Sequence, residues 1–196
     1  MQSIVLFNAA PGGGKDVAAQ ACVEAFGGEH FEFKQKLFEI ALSVANISPE
    51  LWWRIYNNRS DPSSANKESP LPILGGLSQR EFLIKISEEW VKPIFGETYF
   101  GDCASSAVLN SSSSNFFFSD SGFLPEAESL IKMVGKHNIL LVQILREGYT
   151  FEGDSRDYLP VGAFAHTKIL FNNGSLEEFR GEVVQRVGSF LYRAGN

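Results

Sequence analysis

Lys15 is the residue whose type and setting bear most directly on chemistry. It closes the run Ala9-Ala-Pro-Gly-Gly-Gly-Lys15 and is followed by Asp16. Upstream, Ile4 to Phe7 is a short apolar run of strand-forming residues. Downstream, Val17, Ala18, Ala21, Cys22 and Ala25 recur with the spacing of one helix face. Strand, glycine-rich turn, lysine and helix, in that order, form the layout of a phosphate-binding P-loop. Glycines let several backbone N–H groups converge on one anion. The helix start adds unpaired N–H groups and the positive end of its dipole. Lys15 would bring a mobile full charge to β- and γ-phosphates. The residues expected around a nucleotide are therefore Pro11, Gly12, Gly13, Gly14, Lys15, Asp16 and Val17. Two positions depart from G-x-x-x-x-G-K-[ST]: Ala9 stands at the first glycine, and Asp16 replaces the hydroxyl that ordinarily holds magnesium.

A second acid is placed by its own strand. Asn115-Phe-Phe-Phe-Ser-Asp120 is a compact apolar run ending in a carboxylate, which reads as a buried parallel strand. Open α/β sheets bind ligands at the carboxyl ends of their strands. Asp120 is thus expected near the glycine turn, as a magnesium group acting through water; the competing role is to cap the turn before Pro125. Arg146 to Pro160 is rich in charge and aromatics and holds glycines that can act as hinges. It is expected to be a short lid, about 146–160, whose Arg146 and Arg156 close on a phosphoryl group and exclude water. Ion pairs with Glu147 and Asp157 are the alternative use of those arginines.

The elements that must position these groups follow from the rest of the chain. At 196 residues, 44% hydrophobic and 20% charged, the composition is that of one globular domain, 1–196. The net charge of -6 argues against a broad basic face for a nucleic acid polymer, while a nucleotide needs only a local positive cluster. No run is long and apolar enough to suggest a membrane partner, and a cytoplasmic setting is expected. Cys22 and Cys103 lack metal spacing, and Cys22 falls on a helix face as a core thiol. His30, His137 and His166 are scattered and read as surface or turn residues.

Strands are expected at Ile4–Phe7, Phe31–Phe33, 115–120, Ile139–Leu145 and Thr167–Phe171. Helices are expected at Lys36–Val44, after Ser48-Pro49, after the capping box Ser78-Gln-Arg-Glu81, within the serine-rich stretch 101–114, over Pro125–Gly135, and after the capping box of Ser175 and Glu178. Behind Ser78, the residues Phe82, Leu83, Ile86, Trp90 and Ile94 form an apolar stripe. Arg59 to Gly76 reads as a loop. Trp52 and Trp53 are either core or an exposed face that would support a homodimer. Strands alternating with helices predict an α/β fold, a three-layer α/β/α P-loop NTPase with a mostly parallel sheet.

Four blocks resemble the phage-type deoxynucleoside monophosphate kinases, within the wider nucleoside monophosphate kinases. They are Gly14-Lys15-Asp16, where that family also tends to have Asp; Leu77-Ser-Gln-Arg-Glu-Phe-Leu83 with the helix that follows to Phe100-Gly101, similar to "S-x-R-E-x-L"; Phe118-Ser-Asp-Ser-Gly-Phe123 with Glu126, similar to "hydrophobic-D-x-R-F-x-x-E"; and Ile169-Leu-Phe-Asn-Asn-Gly-Ser-Leu-Glu-Glu178. The resemblance implies phosphoryl transfer from ATP, with Mg2+, to a (deoxy)nucleoside monophosphate in the cytoplasm, the host's if the chain is phage-encoded. It implies an acceptor-binding helical region at about 34–100. Arg80 would grip the acceptor phosphate, with Lys36, Arg54 and Arg59 as further acceptor-side cations. Lys15, Arg146 and Arg156 would act on the transferred group, and Asn173 and Gly174 would lie beside adenine. The chain departs from the family at Gly122, where arginine is usual, and at Val17, where Thr or Ser is common. A small-molecule kinase of the dephospho-coenzyme A type and a non-catalytic nucleotide-binding regulator are the rival readings.

Overall fold

A computed structural model describes residues 2–58, 61 and 63–194, the last two by backbone alone. β1 (Ser3–Asn8) is buried at every position. The glycine turn leads into α1 (Lys15–Phe26), which stops at Gly27, where φ is 67°. β2 (Glu29–Phe31) follows. It lies two residues before the strand expected at Phe31–Phe33, because the chain turns there: Phe33 N–H donates to Asp120 Oδ1 at 2.9 Å. Next come α2 (Gln35–Ala45), α3 (Pro49–Tyr56), α4 (Gln79–Ile84), α5 (Lys92–Phe95) and α6 (Tyr99–Asn110). The chain ends with β3 (Asn115–Ser121), α7 (Leu124–Val134), β4 (Ile139–Leu145), β5 (His166–Phe171) and α8 (Leu176–Ala194). Two compact units result: Met1–Phe33 with Gly101–Asn196, and Lys34–Phe100.

The first unit is built on a five-stranded sheet, order β2-β3-β1-β4-β5, parallel at every pairing. Strand alternation distributes its side chains. Val5 and Phe7 pack toward α1 and α8, while Ile4 and Leu6 pack toward α6 and α7. Covering both faces with helices is what makes these strands read as unbroken apolar runs. β5, at the edge, is covered on one face: Leu170 is fully buried, but Ile169 and Phe171 are 50% and 62% exposed. The serine-rich stretch 101–114 is mostly helix, because Ala104 and Val108 face inward while Ser106 faces water. Cys22 lies in the α1 core, where burial pushes its thiol up to about 12 and keeps it unreactive at neutral pH. Ser175 and Glu178 cap α8 reciprocally.

The second unit, α2 to α5, surrounds a core of its own that includes Phe38, Ala41, Trp52, Leu83 and Ile86. Ser48 accepts from Leu51 N–H with Pro49 in the first turn of α3, and both hydrogen bonds of the Ser78–Glu81 capping box form. Trp52 is completely buried, so it offers no exposed face; Trp53 packs edge-on against Phe38 and Tyr56. The stripe expected behind Ser78 breaks after Ile86. Lys85–Val91 winds as a π-helix, which takes more residues per turn than an α-helix. The inward position therefore moves from 90 to 91: Val91 is 2% exposed, whereas Trp90 and Ile94 are 46% and 61% exposed. Between α3 and α4 the expected loop contains a 3-10 turn, Pro72–Leu74. No helix among the described residues is long and apolar enough to cross a membrane.

The shifted face gives a direct test. Val91→Ala should destabilise the chain by about 2 kcal/mol, two lost methyl groups plus the cavity. Trp90→Ala should cost about 0.5 kcal/mol or less. Urea unfolding of both variants reads the difference, and the reverse ranking would put the stripe back on an α-helical period.

Candidate functional site

The glycine turn joins β1 to α1 at the carboxyl end of the sheet. β1 and its neighbour β3 send their following helices, α1 and α7, to opposite faces. The crevice between such strands is where open α/β sheets bind ligands. Within the turn, Gly12 and Gly14 have φ of 76° and 106°. A Cβ on Gly13 would lie 2.7 Å from Ala9 Cβ, and one on Gly14 would lie 2.6 Å from Asn172 Nδ2. Both space and backbone conformation thus demand glycine. Ala9 is not so constrained, since Asn46 is the sole non-glycine described residue with positive φ. That explains why alanine serves at the position where the motif has its first glycine. Gly14 is the N-cap of α1 and, being glycine, supplies no side-chain cap to the helix. Its first-turn N–H groups are left for an anion.

Lys15 is 9% exposed. Its ammonium donates to Ala9 O at 2.6 Å and Ala10 O at 3.0 Å, folding back onto the turn that it follows. Burial lowers its pKa from 10.5 to about 8, and the nearby Arg156 guanidinium pushes in the same direction against Asp16, Asp120 and Asp154. Arg156 is held by Asp154 through two parallel bonds, Nε to Oδ1 at 2.9 Å and Nη2 to Oδ2 at 2.8 Å. Its aliphatic stem lies over Gly122, where an added Cβ would sit 2.6 Å from Arg156 Cβ and 2.7 Å from Cγ. The glycine found where arginine was expected therefore makes room for an arginine from another segment.

The stretch 146–160 is anchored at both ends. Arg146 donates to Gly12 O at 2.8 Å and stacks 4.5 Å above the Tyr149 ring. That ring covers Gly12, where a Cβ would come within 2.5 Å of it. Asn8, fully buried at the end of β1, donates to Ser121 O and Asp157 O and accepts from Leu159 N–H. Gln143 at the end of β4 donates to Leu159 O. The segment from Asp154 to Leu159 is thus fastened across the ends of three strands, and the exposed part is the turn that precedes it. The β1–β3 register slips between Leu6 and Asn8, a bulge beside the site. There Asp120, 6% exposed, accepts from Phe33 N–H. The buried Ser121 hydroxyl finds no hydrogen-bond partner among the described residues.

The other expected residues are placed as follows. Pro11 and Asp16 are exposed, and Val17 packs partly against the α1 core. Asn173 Oδ1 accepts from Glu147 N–H, and Gly174 opens the turn into α8. Asn172, absent from the expected set, donates to Gly13 O at 2.9 Å. In the second unit, Arg80 lies 3.6 Å from Glu68, Lys36 pairs with Glu39, and Arg54 is exposed in the last turn of α3. Arg59 lies outside the described residues. Asn8, Tyr149 and Asn172 each act through a distant segment, to which no local pattern points, whereas Asp154 acts on Arg156 two residues away. A further cluster forms at the start of α1. One ligand atom each from Asp16, His30 and Glu32 lie within 4.8 Å of one another; His30 is exposed, as expected of a surface residue.

No family model matches the chain, and comparison with curated proteins finds no match. Among solved structures, the chain is similar to an unliganded sugar kinase from Janibacter sp. HTCC2649 at 12% identity and a TM-score of 0.43, over 96% of this chain and 95% of that one.

Two outcomes test this geometry. Gly122→Ala should destabilise by about 1–3 kcal/mol through crowding of Arg156, and that cost should largely vanish in an Arg156→Gly background, which also removes the Cβ that lies nearest. Additive effects would separate the two positions. The lowered pKa of Lys15 means that between about pH 8 and 10.5 the unfolded chain binds a proton that the folded chain has released. Stability from this group therefore rises with pH across that window. Urea unfolding of wild type and Lys15→Met should differ in slope there, the wild type rising more steeply.

Proposed function

We propose that the chain transfers a phosphoryl group from ATP to a small acceptor, specifically a (deoxy)nucleoside monophosphate, with Mg2+. One observation carries the reading: the buried Lys15 ammonium rests on the Ala9 and Ala10 carbonyls of a glycine turn, beside a helix start that its N-cap glycine leaves without a side-chain cap. A cation held at a helix N-terminus in this way favours a polyanion, which both the ammonium and the helix dipole attract. In this reading the first-turn N–H groups of α1 and the glycine turn bind the donor phosphates. Lys15 leaves the Ala9 and Ala10 carbonyls for β- and γ-oxygens, and Arg146 and Arg156 neutralise charge on the transferred group. Tyr149 covers the turn and keeps water from the reacting phosphate. Asn173 and Gly174 are proposed beside adenine. An acceptor phosphate is largely dianionic at neutral pH, its second pKa being about 6, so it attacks without a general base. Arg80, Lys36 and Arg54 are proposed as acceptor-side cations on the ground of sequence.

The donor set fits a divalent cation at Asp16, which is exposed in the first turn of α1. It fits less well at Asp120, where Oδ1 already accepts the Phe33 N–H. When bound, magnesium would neutralise charge on the donor phosphates. The absence of a hydroxyl at both Asp16 and Val17 favours a second reading, a nucleotide-binding protein without transferase activity.

ADP formation from Mg-ATP with each common nucleoside and deoxynucleoside monophosphate separates these. Turnover should require one or a few monophosphates and fall by about 100-fold or more in Lys15→Ala. Tight ATP binding with no turnover would establish the binding protein instead. Turnover with some other small acceptor would keep the transferase and reassign its substrate.

A further inference from the structure

We infer that Asp16, His30 and Glu32 form a binding site for a first-row divalent transition cation such as Mn2+, Co2+ or Zn2+. The three residues come from separate local structures. Asp16 is in the first turn of α1, His30 is in β2, and Glu32 immediately follows that strand. His30 and Glu32 are two residues apart, and strand alternation puts both on one face. His30 is registered with Phe117, a residue of the core that α1 covers. The shared face is therefore the α1 face, and the first turn of α1 brings Asp16 to it. The three ligand atoms fall within 4.8 Å of one another. Donors around a metal with bonds of about 2.0–2.2 Å are at most about 4.4 Å apart, so small side-chain rotations complete the set.

A second observation points to the same use. Ser119, 1% exposed on β3, has its Oγ 2.6 Å from His30 Nε2 and 3.5 Å from Glu32 Oε1. With Ser119 donating to Glu32, His30 Nε2–H donates to Ser119 Oγ, and the lone pair of Nδ1 is left for a metal. A buried partner on the second ring nitrogen is the usual device for fixing the tautomer and direction of a ligating histidine. The pair of carboxylates makes the site anionic. Its imidazole selects first-row transition cations over Mg2+ and Ca2+, which favour all-oxygen sets. Three protein donors leave coordination positions open, next to the helix start that the nucleotide reading assigns to phosphates. The cation site itself stands without that reading.

Full-length protein stripped with chelator is titrated with Mn2+ alone, and free Mn2+ is read by electron paramagnetic resonance. Saturable binding of about one equivalent is expected, with displacement by Zn2+. His30→Ala and Glu32→Ala should each weaken it by about tenfold or more, and Ser119→Ala should weaken it by about tenfold through loss of orientation. His30→Asn, closer in shape, serves with circular dichroism to show that lost binding is not lost folding. Co2+ should give a visible spectrum with the wild type that His30→Asn alters. Absence of saturable binding, or unchanged affinity in folded His30→Asn and Glu32→Ala, overturns the site. No nucleotide is present, so the result is independent of the transferase assay.

Discussion

A lysine ammonium that is nearly out of contact with water must be partnered, and the surroundings of Lys15 follow from that constraint. Its partners are two carbonyls of the turn itself, Ala9 O and Ala10 O, which the bend at Gly12 to Gly14 places within reach. Three carboxylates, Asp16, Asp120 and Asp154, offset part of the burial penalty. Arg156 works the other way and is held in place by Asp154. The arrangement keeps a cation of lowered pKa at a helix start, able to exchange carbonyl partners for an anion.

The neighbouring segment is shaped by the need to satisfy polar groups where a sheet ends. Asn8 is fully buried in the central strand and has both sides of its amide engaged, by Ser121 O, Asp157 O and Leu159 N–H. One side chain thereby ties β1, β3 and the stretch carrying Arg156. Gly122 completes the seat, since a Cβ there would enter the Arg156 stem. Arg146 and Tyr149 are attached separately, through Gly12. Motion in 146–160 would therefore fall most readily in the turn between those anchors, where the backbone is exposed.

The second unit shows how a local winding change redirects an apolar pattern. Up to Ile86 the buried positions follow the α-helical period. The π segment then moves burial to Val91 and turns Trp90 and Ile94 toward solvent. Periodicity could not anticipate this, because the residues in Lys85–Val91 are ordinary helix formers and the phase slip depends on packing.

The amino-acid sequence by itself determined the features that are local in cause. The all-parallel α/β architecture follows from apolar runs alternating with amphipathic stretches. The glycine turn and the Ser48, Ser78 and Ser175 caps follow from residue types within one turn or strand of each other, whereas the expected face of α1 is met only in part, with Ala18, Ala21 and Cys22 buried but Ala25 exposed. β2 lies two residues before the place its apolar pattern indicates, because the chain beyond it is held by a hydrogen bond from Phe33 N–H to Asp120, far along the chain. Tertiary structure alone decided the pairings across distance: Asn8 with Asp157, Gly122 with Arg156, Asn172 with Gly13, and Asp16 with His30 and Glu32. Such pairings leave no periodic trace. A side chain that meets its partner only after the sheet has closed is selected by shape and hydrogen bonding at that point, not by its neighbours in sequence.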